Sequence, residues 1–285
     1  MENFPDFVCR KLGNSLIWVA REYAAPAEVA LIADADRLFD GPGCEIIKDQ
    51  RKIKVARIRI ELGGQHRAIY LKRYNAFSWR IPLGSLFRRS GAVKALRGAA
   101  VLSSARIDGA KPVAAVESRC WGMVTKSFFF TEEIAQGKTI DAYWREILAV
   151  LDGRDGICRR RSFLRALASL FRLLHGQRVY HGDLKDANIL VVADRQDQAD
   201  CFFLLDLEGI RKYGRLSRRR RIKNLVQLNR TFGRYVRRTD KIYFLREYLA
   251  GAFSEPREKR RWAIQILGRS SRLDRRKFAS GRVSD

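Results

Sequence analysis

The chain has 285 residues, 46% hydrophobic and 31% charged, enough apolar material for two lobes and a sizeable core. Its formal net charge of +26 implies an anionic partner, and nucleic acid, an anionic membrane and a phosphorylated glycolipid would all satisfy it. No run of about 18 apolar residues is present to span a bilayer, and the N-terminus lacks a signal pattern, so a cytoplasmic location is expected.

Ala56 to Leu62 alternates Ile58, Ile60 and Leu62 with Arg57, Arg59 and Glu61, as a half-buried strand does. Gly63-Gly64 is a hairpin signal, and His66 to Tyr74 returns with Ile69 and Leu71 on one face and Tyr70, Lys72 and Tyr74 on the other. Lys72 is a candidate phosphate-binding lysine; the ordinary alternative is a solvated strand lysine. Residues 73–91 mix Phe77, Trp79, Ile81, Leu83, Leu86 and Phe87 with four arginines, which is the chemistry of a membrane-surface segment or of a connection packed on a small lobe. A helix is expected near Ala92 to Ala105.

Arg160 to Gln177 carries apolar residues at helical spacing and Gly176 as a stop. It leads into His181-Gly182-Asp183-Leu184-Lys185-Asp186-Ala187-Asn188, where Asp183 and Asn188 stand at the separation of the catalytic carboxylate and metal-binding amide in H-R-D-x-x-x-x-N. Lys185 reaches a transferring phosphate as a point charge. Ile189 to Val192 and Cys201 to Leu205 read as short buried strands around a polar turn, Asp194 to Asp200. The second strand delivers Asp206-Leu207-Glu208-Gly209, where a kinase carries D-F-G. Only nine positions separate Gly209 from Arg218, and no A-P-E follows, which favours a small or glycan acceptor over a peptide.

These motifs, with Tyr70 to Tyr74, Phe128 to Glu133 and the basic segment Leu216 to Leu225, resemble the bacterial lipopolysaccharide kinase family, over about residues 45 to 250. That family phosphorylates heptose or 3-deoxy-manno-octulosonic acid (Kdo) in the inner core. The resemblance implies an α+β, two-lobed protein-kinase-like fold with a small β-rich N-lobe (1–131) and a larger helical C-lobe (132–285). It implies ATP and Mg2+ as cofactors and a sugar hydroxyl as acceptor. Carried over by position, Asp183 is the catalytic carboxylate, Asn188 and Asp206 are magnesium ligands, and Lys72 holds phosphate. Phe130, Thr131, Glu132 and Glu133 become the inter-lobe segment that meets adenine through its backbone. Arg218, Arg219, Arg220 and Arg221 are candidate contacts for an anionic substrate. Implied partners are the lipopolysaccharide inner core or a lipid-linked precursor and the anionic inner-membrane surface, to which the protein binds peripherally; nucleic acid is disfavoured.

The chain departs from the kinase pattern in four places. No G-x-G-x-x-G precedes Lys72, so Cys44 to Lys52 must cover the phosphates without that glycine pattern. Tyr70 stands where protein kinases have a small residue over adenine. Gly182 replaces the H-R-D arginine, which removes the usual clamp for an activation-loop phosphate. Between Glu61 and Asp108 there is no acidic residue, so Asp108 or Glu117 pairs with Lys72, or ATP alone holds it. Two other functions compete: a small-molecule phosphotransferase of the aminoglycoside-kinase type, and a silent pseudokinase binding RNA or anionic lipid. The five cysteines (Cys9, Cys44, Cys120, Cys158, Cys201) lack zinc spacing and are expected as buried free thiols. Residues 209–285 hold 24 Lys and Arg against 6 Asp and Glu, a net +18.

Overall fold

The alternation of Ala56 to Leu62 extends over ten residues as one strand, Ile53–Leu62, in which Ala56, Ile58, Ile60 and Leu62 are buried. The computed structural model describes residues 4–75, 89–121, 123–193 and 200–279. The chain divides into two compact units: Met1–Ala100 with Ala110–Ala135, and Val101–Gly109 with Gln136–Asp285.

The first unit is built on β1 (Phe7–Leu12), β2 (Ser15–Ala20), β3 (Glu45–Asp49), β4 (Ile53–Leu62), β5 (Gln65–Asn75), β6 (Pro112–Cys120) and β7 (Met123–Glu132). They form one antiparallel sheet in the order β1-β2-β6-β7-β5-β4-β3. Gly63 and Gly64 adopt φ of 60° and 69°, the left-handed pair that a two-residue hairpin between β4 and β5 requires. One face buries Ile17, Val19, Ile58, Leu71 and Phe130 in a core shared with Val29 and Ile32 of α1 (Pro26–Ala33). Each such side chain contributes on the order of 1.5–3 kcal/mol. The opposite face meets the start of α2 (Gly91–Ser104), where the Ala92 N–H donates to Ser127 Oγ at 3.5 Å. The edge strand β3 is exposed throughout and carries Glu45, Lys48 and Asp49, charges that discourage edge-to-edge pairing.

In the second unit, β8 (Lys138–Thr139) precedes α3 (Ile140–Tyr143), a single turn that continues as a π-helical turn over Trp144–Leu148. The next helix, α4 (Gly153–Gly176), stops where predicted but starts seven residues before Arg160. There Gly156 lies so close to Leu151 that an added Cβ would sit 2.6 Å from its carbonyl oxygen. Phe163, Leu164, Leu167, Phe171 and Leu174 of α4 are all buried. Phe163 sits among the rings of Tyr143, Trp144, Phe202 and Phe232 at centroid distances of 5.4–6.1 Å.

After β9 (Val179–His181), the expected strand pair forms as β10 (Ile189–Ala193) and β11 (Asp200–Leu204), with β8 on the other side of β10. The polar turn between them falls at residues 194–199, outside the described residues. The short β12 (Ile210–Lys212) pairs with β9. Helices α5 (Arg218–Arg230), α6 (Arg238–Leu249) and α7 (Pro256–Ala279) complete the unit. Val101–Gly109 groups here because the Leu204 N–H donates to Asp108 O at 3.0 Å and Gly109 bridges Leu204. The cysteines differ from expectation: Cys120, Cys158 and Cys201 are exposed and Cys9 and Cys44 half-buried, since Cys9, Cys120 and Cys201 lie on strands whose faces open to solvent, Cys158 on the outer side of α4 and Cys44 in the connection before β3.

Arg159 of α4 makes a bidentate pair with Asp200 of β11, at 2.7 and 2.5 Å, and also donates to the Tyr143 hydroxyl at 2.8 Å. The Asp200 side chain is 1% exposed. Removing one member of a buried pair strands the other, at a cost of about 3–5 kcal/mol. Asp200→Ala should therefore lower unfolding free energy by about that much in denaturant titrations, whereas the surface change Asp34→Ala should be near neutral.

Candidate active site

His181, Gly182 and Asp183 leave β9 in a tight backbone embrace. The Gly182 N–H donates to Gly209 O at 2.9 Å, and a Cβ on Gly182 would stand 3.2 Å from that oxygen and 3.3 Å from the Gly209 Cα. Glycine at both positions lets the loop and the Asp206–Gly209 segment touch, which accounts for the missing arginine of H-R-D.

His181 is fully buried. Its Nδ1 accepts from the Asp183 N–H at 3.2 Å, so Nε2 carries the proton and donates to Leu205 O at 2.8 Å. Burial lowers its pKa and keeps the ring neutral. The ring orients backbone and has no path to exchange protons with a substrate. On the other side, the Leu205 N–H donates to Asn188 O at 2.9 Å. His181 and Asn188 thus fix Leu205 from both sides and bring Asp206 beside Asn188. Asp206 takes a left-handed conformation with φ 54°, which aspartate tolerates at modest cost.

The Asp183 carboxylate is 48% exposed and half enclosed by hydrogen bonds. Lys185 Nζ stands 2.9 Å from Oδ2, and Gln227 Nε2 donates to Oδ1 at 3.4 Å. The Asn188 amide donates to Asp183 O at 2.7 Å and to Oδ2 at 3.4 Å, which turns its own Oδ1 away as an oxygen ligand. Asn188 Oδ1 and the Asp206 carboxylate fit a hard cation, and magnesium needs only one or two such groups beside nucleotide phosphates. Among the described residues there is no group of three His, Cys, Asp or Glu that could hold a metal on its own.

Sequence reasoning missed what holds this loop. Asn224 of α5 is fully buried; its amide donates to His181 O at 2.6 Å and to Gln227 Oε1 at 3.1 Å. Gln227, one turn on, donates to Gly182 O at 3.0 Å and accepts from the Leu184 N–H at 3.4 Å. Thr231 accepts from the Asp186 N–H at 3.2 Å. Behind Asn224, His175 Nε2 lies 3.2 Å from its Oδ1, and the Tyr248 hydroxyl lies 2.9 Å from His175 Nδ1. Donor and acceptor roles follow in one direction: Tyr248 to His175 to Asn224 to the loop. The available signal was Asn224 and Gln227 three apart among apolar Ile222, Leu225, Val226 and Leu228, polar groups on a buried face.

The four arginines do not act together. Consecutive helical positions point about 100° apart. Arg218 turns toward α7, 3.1 Å from Glu258 and 4.6 Å over the Trp262 ring, so it is a structural pin and the expected anion contact is corrected for it. Arg220 stacks 4.0 Å over Tyr213, Arg221 is half-buried and Arg219 is exposed.

In the first unit, Lys72 pairs across the sheet with Val55 and Phe129, and its Nζ lies 4.9 Å over the Tyr74 ring. Gly91 presses on that same ring, 2.6 Å from where its Cβ would be. Glu117 shares the Lys72 face, in the cross-strand row of Tyr74 and Ser127, and is buried in an ion pair with Arg119. Asp108 is exposed. Phe130 is fully buried with its backbone paired to Leu71 and Ala114, so a backbone contact to adenine there is ruled out. Thr131 is likewise paired on both sides, to Tyr70 and Pro112. The N–H groups of Glu132 and Glu133 donate to Lys111 O and Ala68 O, and their carboxylates hold Tyr23 and Arg57. What remains to a base is their carbonyls. Cys44 to Lys52 form β3 and a hairpin whose tip, Arg51 and Lys52, is bound by Asn75 through both carbonyls.

Burial holds the His175 pKa down to about 4. The unfolded chain binds that proton near pH 6.5 and the folded chain does not, so stability rises with pH through this window. Acidification from pH 7 to pH 4 should therefore remove about 3 kcal/mol, and His175→Gln should flatten that part of the stability–pH profile. Asn224→Ala should destabilise by roughly 1–3 kcal/mol and lower turnover at saturating substrate, because it leaves the His181 carbonyl and the His175 N–H unpaired.

Among solved structures the chain is similar to one titled "WaaP in complex with acyl carrier protein", at 19% identity over 86% of this chain and 96% of that one, with a TM-score of 0.63. At that identity the likeness shows a shared kinase-like fold. A search of curated proteins finds no match to the chain. The lipopolysaccharide kinase (Kdo/WaaP) family model matches residues 51–248, which contain Lys72, the His181–Asn188 loop, Asp206 and the Asn224–Gln227 pair. A match over more than two thirds of the chain makes the protein a member of the lipopolysaccharide kinase (Kdo/WaaP) family.

Proposed function

We propose that the protein transfers the γ-phosphoryl group of ATP to a hydroxyl of heptose or Kdo in the lipopolysaccharide inner core, or in a lipid-linked precursor, with Mg2+ as the metal. Family membership makes it a sugar-hydroxyl kinase that uses ATP. The observation that carries the finer reading is the arrangement of the second unit, where an exposed Asp183 carboxylate lies against Lys185 and Asn188 while Leu205 fixes Asp206 beside Asn188. Magnesium would neutralise charge on the phosphates when bound by Asn188 and Asp206.

Asp183 then orients the acceptor hydroxyl and takes its proton as the oxygen attacks phosphorus. Gln227 and Asn188 keep the carboxylate aimed, and Lys185 is placed to turn from Asp183 to the transferring phosphate. Lys72 holds the α and β phosphates, and the cationic hairpin tip at Arg51 and Lys52 covers them in place of glycine amides. A net +18 over residues 209–285 repels the cationic acceptors of aminoglycoside kinases and suits a phosphorylated, anionic one. Arg219 and Arg220 remain candidates for contact with that acceptor. No helix among the described residues is long and apolar enough to cross a membrane, so we place the enzyme peripherally at the inner membrane on the ATP-containing side. The aromatic segment containing Trp79 and Phe87 lies outside the described residues apart from its ends.

Incubating the enzyme with labelled ATP, Mg2+ and core oligosaccharides truncated at defined sugars should give transfer that disappears when one particular heptose or Kdo is removed. Asp183→Ala should reduce turnover by about 10²- to 10⁴-fold with nucleotide binding retained. Asp206→Asn and Asn188→Ala should instead raise the magnesium requirement, with partial rescue at high Mg2+. Lys72→Met should also lower activity. Unchanged magnesium dependence in both metal-ligand variants would place the metal elsewhere.

A further inference from the structure

Helix α7 has two faces of unlike chemistry. Inward, Trp262, Ile266 and Ser270 are buried against the unit, and Ser270 Oγ accepts from Asn229 of α5 at 2.9 Å. Its two acids are both taken up by α5: Glu258 by Arg218 at 3.1 Å and Asp274 by Arg230 at 2.8 Å. Against these the helix carries nine Lys and Arg. Outward, Arg257, Arg260, Ile264, Leu267, Arg275 and Phe278 fall within an arc of about 80° at ~100° per residue. All six are exposed, Ile264 to 59%, Leu267 to 53% and Phe278 to 72%.

We propose that this outer face of α7 is the surface by which the enzyme lies on an anionic lipid bilayer. The proposal rests on the peripheral-membrane reading above and names the element responsible for it. With both acids paired inward, the outer face presents cations without competing carboxylates, which matches a lipid-phosphate plane. Aliphatic and aromatic side chains share one stripe with arginines over some 32 Å, at ~1.5 Å per residue. Apolar groups enter the acyl boundary while arginine stems lie beside them and raise guanidinium groups to the phosphates. RNA or an acidic protein would be met by the charges and would leave three large apolar side chains without a role.

The orientation is productive for the proposed reaction. Helix α5 holds α7 through Arg218 and Arg230 and holds the catalytic loop through Asn224 and Gln227. The docking face and the loop are thus carried by one pair of packed helices, so a bilayer held on α7 keeps a fixed relation to the loop within the second unit.

The test uses the full-length protein and vesicles of phosphatidylcholine with or without phosphatidylglycerol. Wild type should co-sediment with the anionic vesicles and be released by salt. Arg260→Glu with Arg275→Glu should weaken partition at least tenfold, since each cation near the surface counts for roughly fivefold. The same charge change on strand β1, Arg10→Glu with Lys11→Glu, should weaken it less than twofold. Ile264→Ser and Phe278→Ser together should weaken it several-fold while leaving the salt dependence unchanged, and Leu267→Ser, whose side chain also borders the cavity between α7, α5 and α6, is checked separately by its thermal midpoint. Transfer to a soluble core saccharide should be the same in all variants; a loss there in the α7 variants would show that this face serves the fold or the active site and would overturn the docking assignment, whereas absence of transfer by wild type would overturn the kinase reading alone. If wild type binds vesicles and the α7 variants bind equally well, the bilayer docks elsewhere and this proposal fails while the membrane reading stands. Failure of wild type to bind removes both. If the charge variant loses heparin or RNA binding as much as vesicle binding and the double serine variant changes nothing, the face binds polyanions and the bilayer assignment is overturned.

Discussion

A single buried carboxamide, that of Asn224, carries the second unit's order from its helical core to the His181–Asn188 loop. Fully enclosed, it must satisfy both its donor and its acceptor inside the protein, and it does so with His175 behind and the His181 carbonyl in front. Neither partner is optional in a medium where an unpaired polar group costs roughly 1–3 kcal/mol. The loop geometry is therefore set by α4, α5 and α6 jointly, through His175, Asn224 and Tyr248. An aspartate at this position would bring a buried charge and surrender the two donated hydrogen bonds. The neutral amide is the group that can face a neutral imidazole and a carbonyl together.

The cation surplus is distributed by the same logic. Arginines at Arg57, Arg159, Arg218 and Arg230 are held in ion pairs inside the units, where they add a polar tie between different elements. Such pairs consume most of the nearby acids. Each pair removes one cation with one acid, so the whole +26 surplus stays on the remaining side chains, and α7 is the clearest instance. Four cations in the first turn of α5 oppose its helix dipole, a penalty of a few tenths to 1 kcal/mol each. Stacking of Arg218 on Trp262 and Arg220 on Tyr213, with the Ser217 cap on the Arg220 N–H, offsets part of it.

The sequence was legible where the chemistry is local. Alternation revealed β4 and β5, the two-glycine turn revealed their hairpin, and the spacing from Asp183 to Asn188 and Asp206 revealed the kinase-like loop. It was opaque where the deciding contact is distant. Nothing local marks β1, β2 and α1 as an extension of the sheet, because their apolar faces are completed by Leu71 and Phe130 far along the chain. Phe130 entered as a nucleotide contact through the family resemblance alone, whereas pairing on both sides puts it in the core. The arginine run looked like one anion site because the residues are adjacent in sequence, and helical geometry disperses them. Gly182 looked like a loss of regulation; it is also a steric requirement of the contact with Gly209.

The setting of Lys72, the proposed phosphate-binding lysine, differs from that of its counterpart in protein kinases. In protein kinases a helix carries a glutamate toward or away from the lysine, and making that pair accompanies activation. Here α2 has no carboxylate to bring, since no acid lies between Glu61 and Asp108. Its first residue, Gly91, is seated on the Tyr74 ring so closely that any side chain would collide, while the Lys72 ammonium lies over that same ring. A cation above an aromatic face keeps about 0.5–1 kcal/mol of attraction without any moving partner. Tyr74 thereby couples the helix and the lysine as fixed parts of one sheet. Control by a glutamate swung in on α2 has no residue to act through.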